Sequence, residues 1–338
     1  MTRDEILELL DRPIASAAAG AALELGLFWQ LAAAPRDAQA IAEALGVPFG
    51  RCLAWLRVLA DEGLIESTEA GYRPTEAARA AILDTHSAES WAMLAQEARE
   101  RIGAISDLPV RLGARRSASA ASSSTDTGYV GLMSRDPQRA RRFTRMLYEI
   151  HAPLAEKVAA RLDLSGVERL LDLGGGSGVI AIALARRWPG LSVQILDIAN
   201  VCAVGGELVE SAGLGRRIGF TPADFVNEDL PAGFDAILEC DVGIYSEALF
   251  RRIHGALPAH GRFILIDELA GEGAPDPGRD AWSLIRTLED PDWAPPTIAG
   301  TLDVLKRSGF RSVRESRLEP GPGVGGREAG PVVLEAAP

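Results

Sequence analysis

Apolar and polar positions keep a helical period through the first third of the chain and then change to strand-like runs. Residues 14–31, Ala-rich and carrying Leu23, Leu25, Leu27 and Phe28, predict a first helix, and residues 38–45 a short second one. Val47-Pro48-Phe49-Gly50 reads as a turn, after which residues 52–60 place Leu53, Leu56 and Leu59 at helical spacing. Residues 63–66 and 71–74 read as two short strands around a turn. Helix, helix, helix, hairpin is the order of a winged helix. Residues 88–112 predict further helix, the Ser/Ala-rich stretch 115–128 a mobile surface loop, and residues 136–162 one long amphipathic helix.

From Val167 onward short apolar runs alternate with helical patterns. Strands are expected at 170–173, 192–197, 218–221, 236–239 and 262–267, with helices between them, as a doubly wound parallel sheet demands. Residues 312–318 and 331–335 flank a Gly/Pro-rich connection and read as an antiparallel hairpin closing the sheet. The fold class is therefore α/β, a Rossmann-like sheet behind a mostly helical winged-helix domain. The expected divisions are 1–112 for the helical domain, 113–160 for a linker loop and connecting helix, and 161–338 for the sheet.

Charge narrows the partners. Residues 1–100 hold 16 acidic side chains against 8 arginines, and the whole chain carries a formal charge of −12. Phosphate backbones need clustered Lys and Arg, so no nucleic-acid partner is expected, and the helical domain reads as a dimerisation unit and substrate lid. Cys52, Cys202 and Cys240 are odd in number and widely spaced, which suits reduced thiols in the cytoplasm and offers no zinc pair. The N-terminus has no signal-peptide pattern, and no apolar run reaches the ~18–20 residues of a membrane span. The expectation is a cytoplasmic protein with no metal and no membrane partner.

The candidate chemistry begins at Leu171-Asp172-Leu173-Gly174-Gly175-Gly176-Ser177-Gly178, between the first sheet strand and its helix. Glycines there let the backbone turn tightly and pass close to a ligand. Asp197, followed by Ile198, ends the second strand, where a carboxylate can take both hydroxyls of an adenosine ribose. Asp224 and Phe225 follow the third strand and offer an acceptor and a ring face to adenine. Gly176, Gly178 and Ala181 also satisfy a nicotinamide-type GxGxxA, a weak match by itself. The Gly174–Gly176 triplet, the Asp224-Phe225 pair and the preceding helical domain favour S-adenosylmethionine (SAM).

Taken together these motifs resemble the SAM-dependent O-methyltransferases of secondary metabolism, the family of caffeate-type plant enzymes and bacterial tailoring enzymes. Residues 23–28 resemble the family's first-domain signature and residues 59–65 its wing entry, and the likeness runs from about residue 12 to 337. It implies SAM as cofactor, a small, aromatic or cyclic acceptor, and a homodimer. It also implies that Asp172, Gly174, Gly175, Gly176, Gly178, Asp197, Ile198, Asp224, Phe225 and Cys240 meet the cofactor, Cys240 standing where the family has a lysine.

The pattern breaks at the base. The family carries His-Asp-Trp after the fourth strand, with the histidine drawing the acceptor's proton. Here residues 239–248 read Glu-Cys-Asp-Val-Gly-Ile-Tyr-Ser-Glu-Ala, and the histidine position falls on Ile244. A second family carboxylate motif has no match near Trp293-Ala294-Pro295-Pro296-Thr297. Asp267 stands where another family acid follows the fifth strand. The remaining catalytic candidates are Tyr245, His151 and Asp241, with Met146 and His151 expected to meet the acceptor. Ordinary loop, capping and packing roles stay open for each, and His254 and His260 read as structural. Methyl transfer by positioning alone, without a base, suits an already reactive nucleophile on O, C, N or S. A family member doing non-methylating chemistry and a SAM-responsive winged-helix regulator remain as alternatives.

Overall fold

Thr2 opens the first helix with a reciprocal cap: its hydroxyl accepts the Glu5 N–H, and the Glu5 carboxylate accepts the Thr2 N–H. The helix, α1 (Arg3–Glu24), thus begins well before the apolar run that suggested residue 14. It stops at Gly26, whose left-handed backbone (φ 69°) turns the chain into a separate α2 (Leu27–Leu31). Next come α3 (Ala38–Leu45) and α4 (Phe49–Asp61); Phe49 and Gly50 lie inside α4, with Pro48 at its N-cap, where the sequence read a turn. The wing is β1 (Ile65–Thr68) paired antiparallel with β2 (Gly71–Pro74). A short α5 (Glu76–Ala78) runs on into a π-helical turn (Arg79–Leu83), and α6 (Ala88–Ile105) ties back to α1 through Arg99–Glu24 at 3.0 Å. Leu27, Phe28, Leu31, Ile41, Leu56 and Leu59 form the core of this part. The computed structural model describes residues 1–113, 128–270, 277–290, 292–320 and 330–338. By packing the chain divides into Met1–Leu108 and Pro109–Pro338, with α7 (Leu108–Gly113) beginning at the division. The expected surface loop at 115–128 lies, apart from Gly128, outside the described residues.

In the second unit α8 (Tyr129–Arg135) leads to α9 (Pro137–Ile150), capped by the Asp136 carboxylate, which accepts the Gln138 and Arg139 N–H groups. The single helix expected over 136–162 is broken: α9 ends at His151 and α10 (Ala152–Arg161) begins anew. Pro153 is the cause, since it donates no N–H and its ring crowds the carbonyl one turn back.

The sheet follows as β3 (Arg169–Leu173), α11 (Val179–Arg187), β4 (Ser192–Asp197), α12 (Ala199–Ser211), β5 (Ile218–Pro222), β6 (Ala236–Cys240), α13 (Glu247–Ala256) and β7 (Arg262–Asp267). After them come α14 (Pro277–Glu289), α15 (Ile298–Arg307), β8 (Ser312–Arg317) and β9 (Val332–Ala337). The seven strands run β5-β4-β3-β6-β7-β9-β8; β3 to β7 are mutually parallel, while β9 is antiparallel to both β7 and β8. One face packs Leu170, Ile195, Leu238 and Ile264 under α10 and α11, and the other packs Leu171, Ile237, Phe263 and Leu334 under α13 and α15. Strand order reverses at β3 and β6, so the crossovers leave toward opposite faces and a crevice opens at the carboxyl ends of the strands.

Candidate active site

That crevice is a cavity of about 1130 Å³ formed within the second unit. Its floor is the β3–α11 turn. Gly174, Gly176 and Gly178 adopt φ of 68°, 55° and 76°, a region closed to most side chains. The turn is tied to β4: Asp197 Oδ2 accepts the Gly176 N–H at 2.9 Å and its Oδ1 accepts the Ile198 N–H at 2.6 Å. Gly175 makes room inside the protein, because a Cβ there would lie 2.4 Å from Asp172 Oδ2. Gly178 is not on the cavity wall; a Cβ there would press on Val209 and Phe220.

Asp172 is 1% exposed, and its Oδ2 has no hydrogen-bond partner. Burial, then the charge of Asp197, pushes its carboxyl up to about 8. Burial likewise pushes Asp197 up to about 6 against the pull of its two N–H donors. A buried carboxyl with an orphaned oxygen, next to a second buried carboxyl and beside a glycine turn, calls for a cationic ligand. The ammonium and sulfonium of SAM fit that demand, whereas the pyrophosphate of a dinucleotide would add negative charge to it.

Farther along the wall, Asp224 organises its own turn, accepting from the Val226 and Asn227 N–H groups and from Asn227 Nδ2 at 2.8 Å. A carboxylate has capacity for a further donor such as an adenine amine. Phe225, Ile198 and Cys240 also line the cavity, and burial raises the Cys240 thiol well above the usual range. Tyr129 and Ser134 join them without having been picked out in the sequence, and Ser177 joins from within the glycine stretch.

The turn after β6, whose Val242 lies against Gly174, gathers the catalytic candidates. Among the described residues, Asp241 is the non-glycine residue with positive φ (57°), in the turn that replaces the family's base motif. Its Oδ2 stands 3.5 Å from Nε2 of His151, which the α9–α10 break exposes to the cavity. Burial lowers His151 below the usual histidine range, so its ring is neutral near pH 7 and able to accept a proton. Opposite, Tyr245 Oη donates to Asp267 Oδ2 at 2.6 Å, and Asp267 Oδ1 accepts the Glu268 N–H at 2.6 Å. Burial and the charge of Asp267 hold the Tyr245 proton tightly. Tyr245 is thus a donor and no base. Ile244 puts an aliphatic side chain on the wall where the family has its histidine.

Met146 is buried, and the α9 residues on the wall are Phe143 and Leu147 instead. His254 packs edge-on against Phe310 with ring centroids 5.2 Å apart. Trp282 and Arg286 of α14 and Trp293, Pro295 and Pro296 also line the cavity, and the sequence reading gave none of them a part in the site. The cluster of Trp and Pro after α14 was the signal available for them.

An O-methyltransferase domain model matches residues 121–294. A 3-hydroxy-5-methyl-1-naphthoate 3-O-methyltransferase of Streptomyces sahachiroi is 30% identical over 322 residues, 92% of this chain and 90% of that protein. The N,N-dimethyltransferase OxyT of Streptomyces rimosus is 29% identical over 251 residues, 73% of this chain and 72% of that one. The solved structure of the mitomycin 7-O-methyltransferase MmcR superposes with a TM-score of 0.83 at 24% identity, covering 99% of this chain and 97% of that one.

Proposed function

The chain belongs to the O-methyltransferase family, with SAM as its cofactor, and on that premise we propose that it methylates a hydroxyl on a small aromatic or cyclic metabolite, using His151 as base. The observation that carries this is the His151–Asp241 pair on the wall of the same cavity that Asp172 and Asp197 line. SAM supplies an electrophilic methyl on a sulfonium that leaves as a neutral thioether. Asp197, Asp224 and Phe225 would hold the adenosine, and Asp172 would meet the cationic portion. Phe143, Trp282 and Trp293 offer flat apolar walls to a ring. With SAM bound as methyl donor, neutral His151 would take the acceptor's hydroxyl proton and Asp241 would stabilise the imidazolium. Tyr245, its one hydroxyl proton given to Asp267, offers the acceptor hydroxyl its oxygen lone pair and orients it.

A hydroxynaphthoate is the substrate class of one relative, which makes hydroxylated naphthoates the first acceptors to try. The acidic balance of the first hundred residues supports a role without nucleic acid. We take the protein to work in the cytoplasm as a homodimer built by its helical unit.

The experiment is a panel of hydroxylated naphthoates and catechols incubated with SAM, scored by release of S-adenosylhomocysteine. His151→Ala should lower turnover by about 10²–10⁴-fold while leaving S-adenosylhomocysteine affinity in place. Turnover should fall as pH drops through a value below the ordinary histidine range, because the base must be unprotonated. A loss under tenfold, with a rate that follows the acceptor's own ionisation, would replace the base with positioning alone.

A further inference from the structure

One buried carboxyl takes no part in those steps. Glu239 lies on β6 between Leu173 of β3 and Leu265 of β7, on the face where Ile237, Leu249 and Phe250 pack. It is 1% exposed, and neither carboxyl oxygen has a hydrogen-bond partner. An aliphatic side chain would suit this position better, since a carboxyl there has lost water without replacing it. A group that opposes the packing around it is a candidate for function.

Its neighbours indicate which function. Glu239 pairs with Leu265 in the parallel register, so Asp267, two residues on along β7, lies on the same face; its charge bears on Glu239, that of Glu239 bears on Tyr245, and the Ile244 N–H approaches Glu239. Asp267 in turn accepts the Tyr245 hydroxyl and is approached by the Gly243 N–H. Two carboxyls therefore underlie the turn in which Asp241 takes its left-handed backbone and faces His151. We propose that Glu239 is a positioning residue: from inside the sheet it holds the Tyr245–Asp267 pair, and with it the turn carrying Asp241, in the geometry the acceptor needs. Burial first, and then the charge of Asp267, pushes Glu239 up to about 8, so near neutral pH it keeps its proton and can donate as well as accept. Ionised, it would set a second negative charge beside Asp267 and drive the pair apart.

This inference rests on the acceptor site proposed above, so its test needs a readout that requires no acceptor. The chain has four tyrosines, and labelling with 3-fluorotyrosine gives a fluorine spectrum in which Tyr245→Phe assigns the Tyr245 signal. Glu239→Gln, which keeps a neutral polar group, should leave that signal in place, and Glu239→Leu should move it. Thermal unfolding of Glu239→Leu should rise in temperature, since the unpartnered carboxyl is gone. With a naphthoate or catechol that turns over, Glu239→Leu should lower kcat about tenfold, with acceptor KM and S-adenosylhomocysteine affinity within about twofold. Glu239→Gln should retain the rate. A purely structural Glu239 would change unfolding temperature alone; an unmoved Tyr245 signal in Glu239→Leu, or an equal shift in Glu239→Gln, overturns the proposal. Should Glu239→Leu fail to fold, Glu239→Met is read by the same criteria. If no acceptor is methylated, the proposed function fails while the fluorine measurement still decides the place of Glu239.

Discussion

A carboxylic acid removed from water resists ionisation, and three of them shape the response of this protein to pH. Asp172 and Glu239 are pushed up to about 8 and Asp197 to about 6, each chiefly by burial. In an unfolded chain such groups ionise near ~4. Between those values the folded protein binds protons that the unfolded chain has released, so stability is greatest at the acid end of the window and declines as pH rises. Thermal melts of the ligand-free protein should show unfolding temperature falling between about pH 5 and pH 8, with a shallower fall in Asp172→Asn. The same substitution should weaken SAM about ten- to a hundredfold, the worth of a hydrogen bond to a charged group. Because SAM favours the ionised Asp172, its affinity in the natural chain should tighten as pH rises toward 8. An unchanged pH slope in Asp172→Asn would show that this carboxyl is not the titrating group. Asp172 was singled out in the sequence by its place before the glycines; its orphaned oxygen was not legible there, because burial is a property of the packed sheet.

Elements bring these residues together through their breaks more than through their regular parts. The β3–α11 turn is read correctly from its glycines, although Gly175 and Gly178 serve the packing of the protein itself. Gly175→Ala would force a Cβ against the Asp172 carboxyl, and overpacking of that kind costs about 1–3 kcal/mol. Calorimetry should register that loss together with weaker SAM binding. Gly190→Ala, at a position with open space around it, should stay within about 0.5 kcal/mol of the natural chain. Equal effects at the two positions would count against the close approach. The α9–α10 break has a cause visible in the sequence, Pro153, yet the amphipathic period runs across it and read as one helix. Its consequence, His151 turned to a cavity, depends on where the sheet stands.

At the scale of the molecule, α1 presents apolar side chains with nothing of its own unit over them: Leu10 is 69% exposed and Ile14 63%, with Ile6, Leu7 and Leu9 also exposed. A stripe of this kind on a helix marks an interface. We expect light scattering at micromolar concentration to return a dimer. The double substitution Leu10→Asp, Ile14→Asp should return a monomer with a lower unfolding temperature. A natural chain that is already monomeric would remove this role for α1.

Periodicity and local chemistry determined a good deal of this protein in advance. The order of strands and helices, the parallel sheet with its terminal hairpin, the glycine turn, Asp197 and the Asp224-Phe225 pair are local features, written in short stretches of side chains and backbone freedom. The absence of the family's histidine was equally plain, since Ile244 occupies its place. What replaces it was a tertiary matter. His151 and Asp241 are ninety positions apart in the chain, and Tyr245 and Asp267 belong to a turn and a strand end. Their pairing arises only when parallel strands align their carboxyl ends along one edge. Glu239 shows the same division: in the sequence it is one acid at the end of an apolar run, and in the fold it is a buried carboxyl beneath the acceptor turn. Side-chain type is local, but loss of water and the identity of the nearest charge are set by segments distant in sequence.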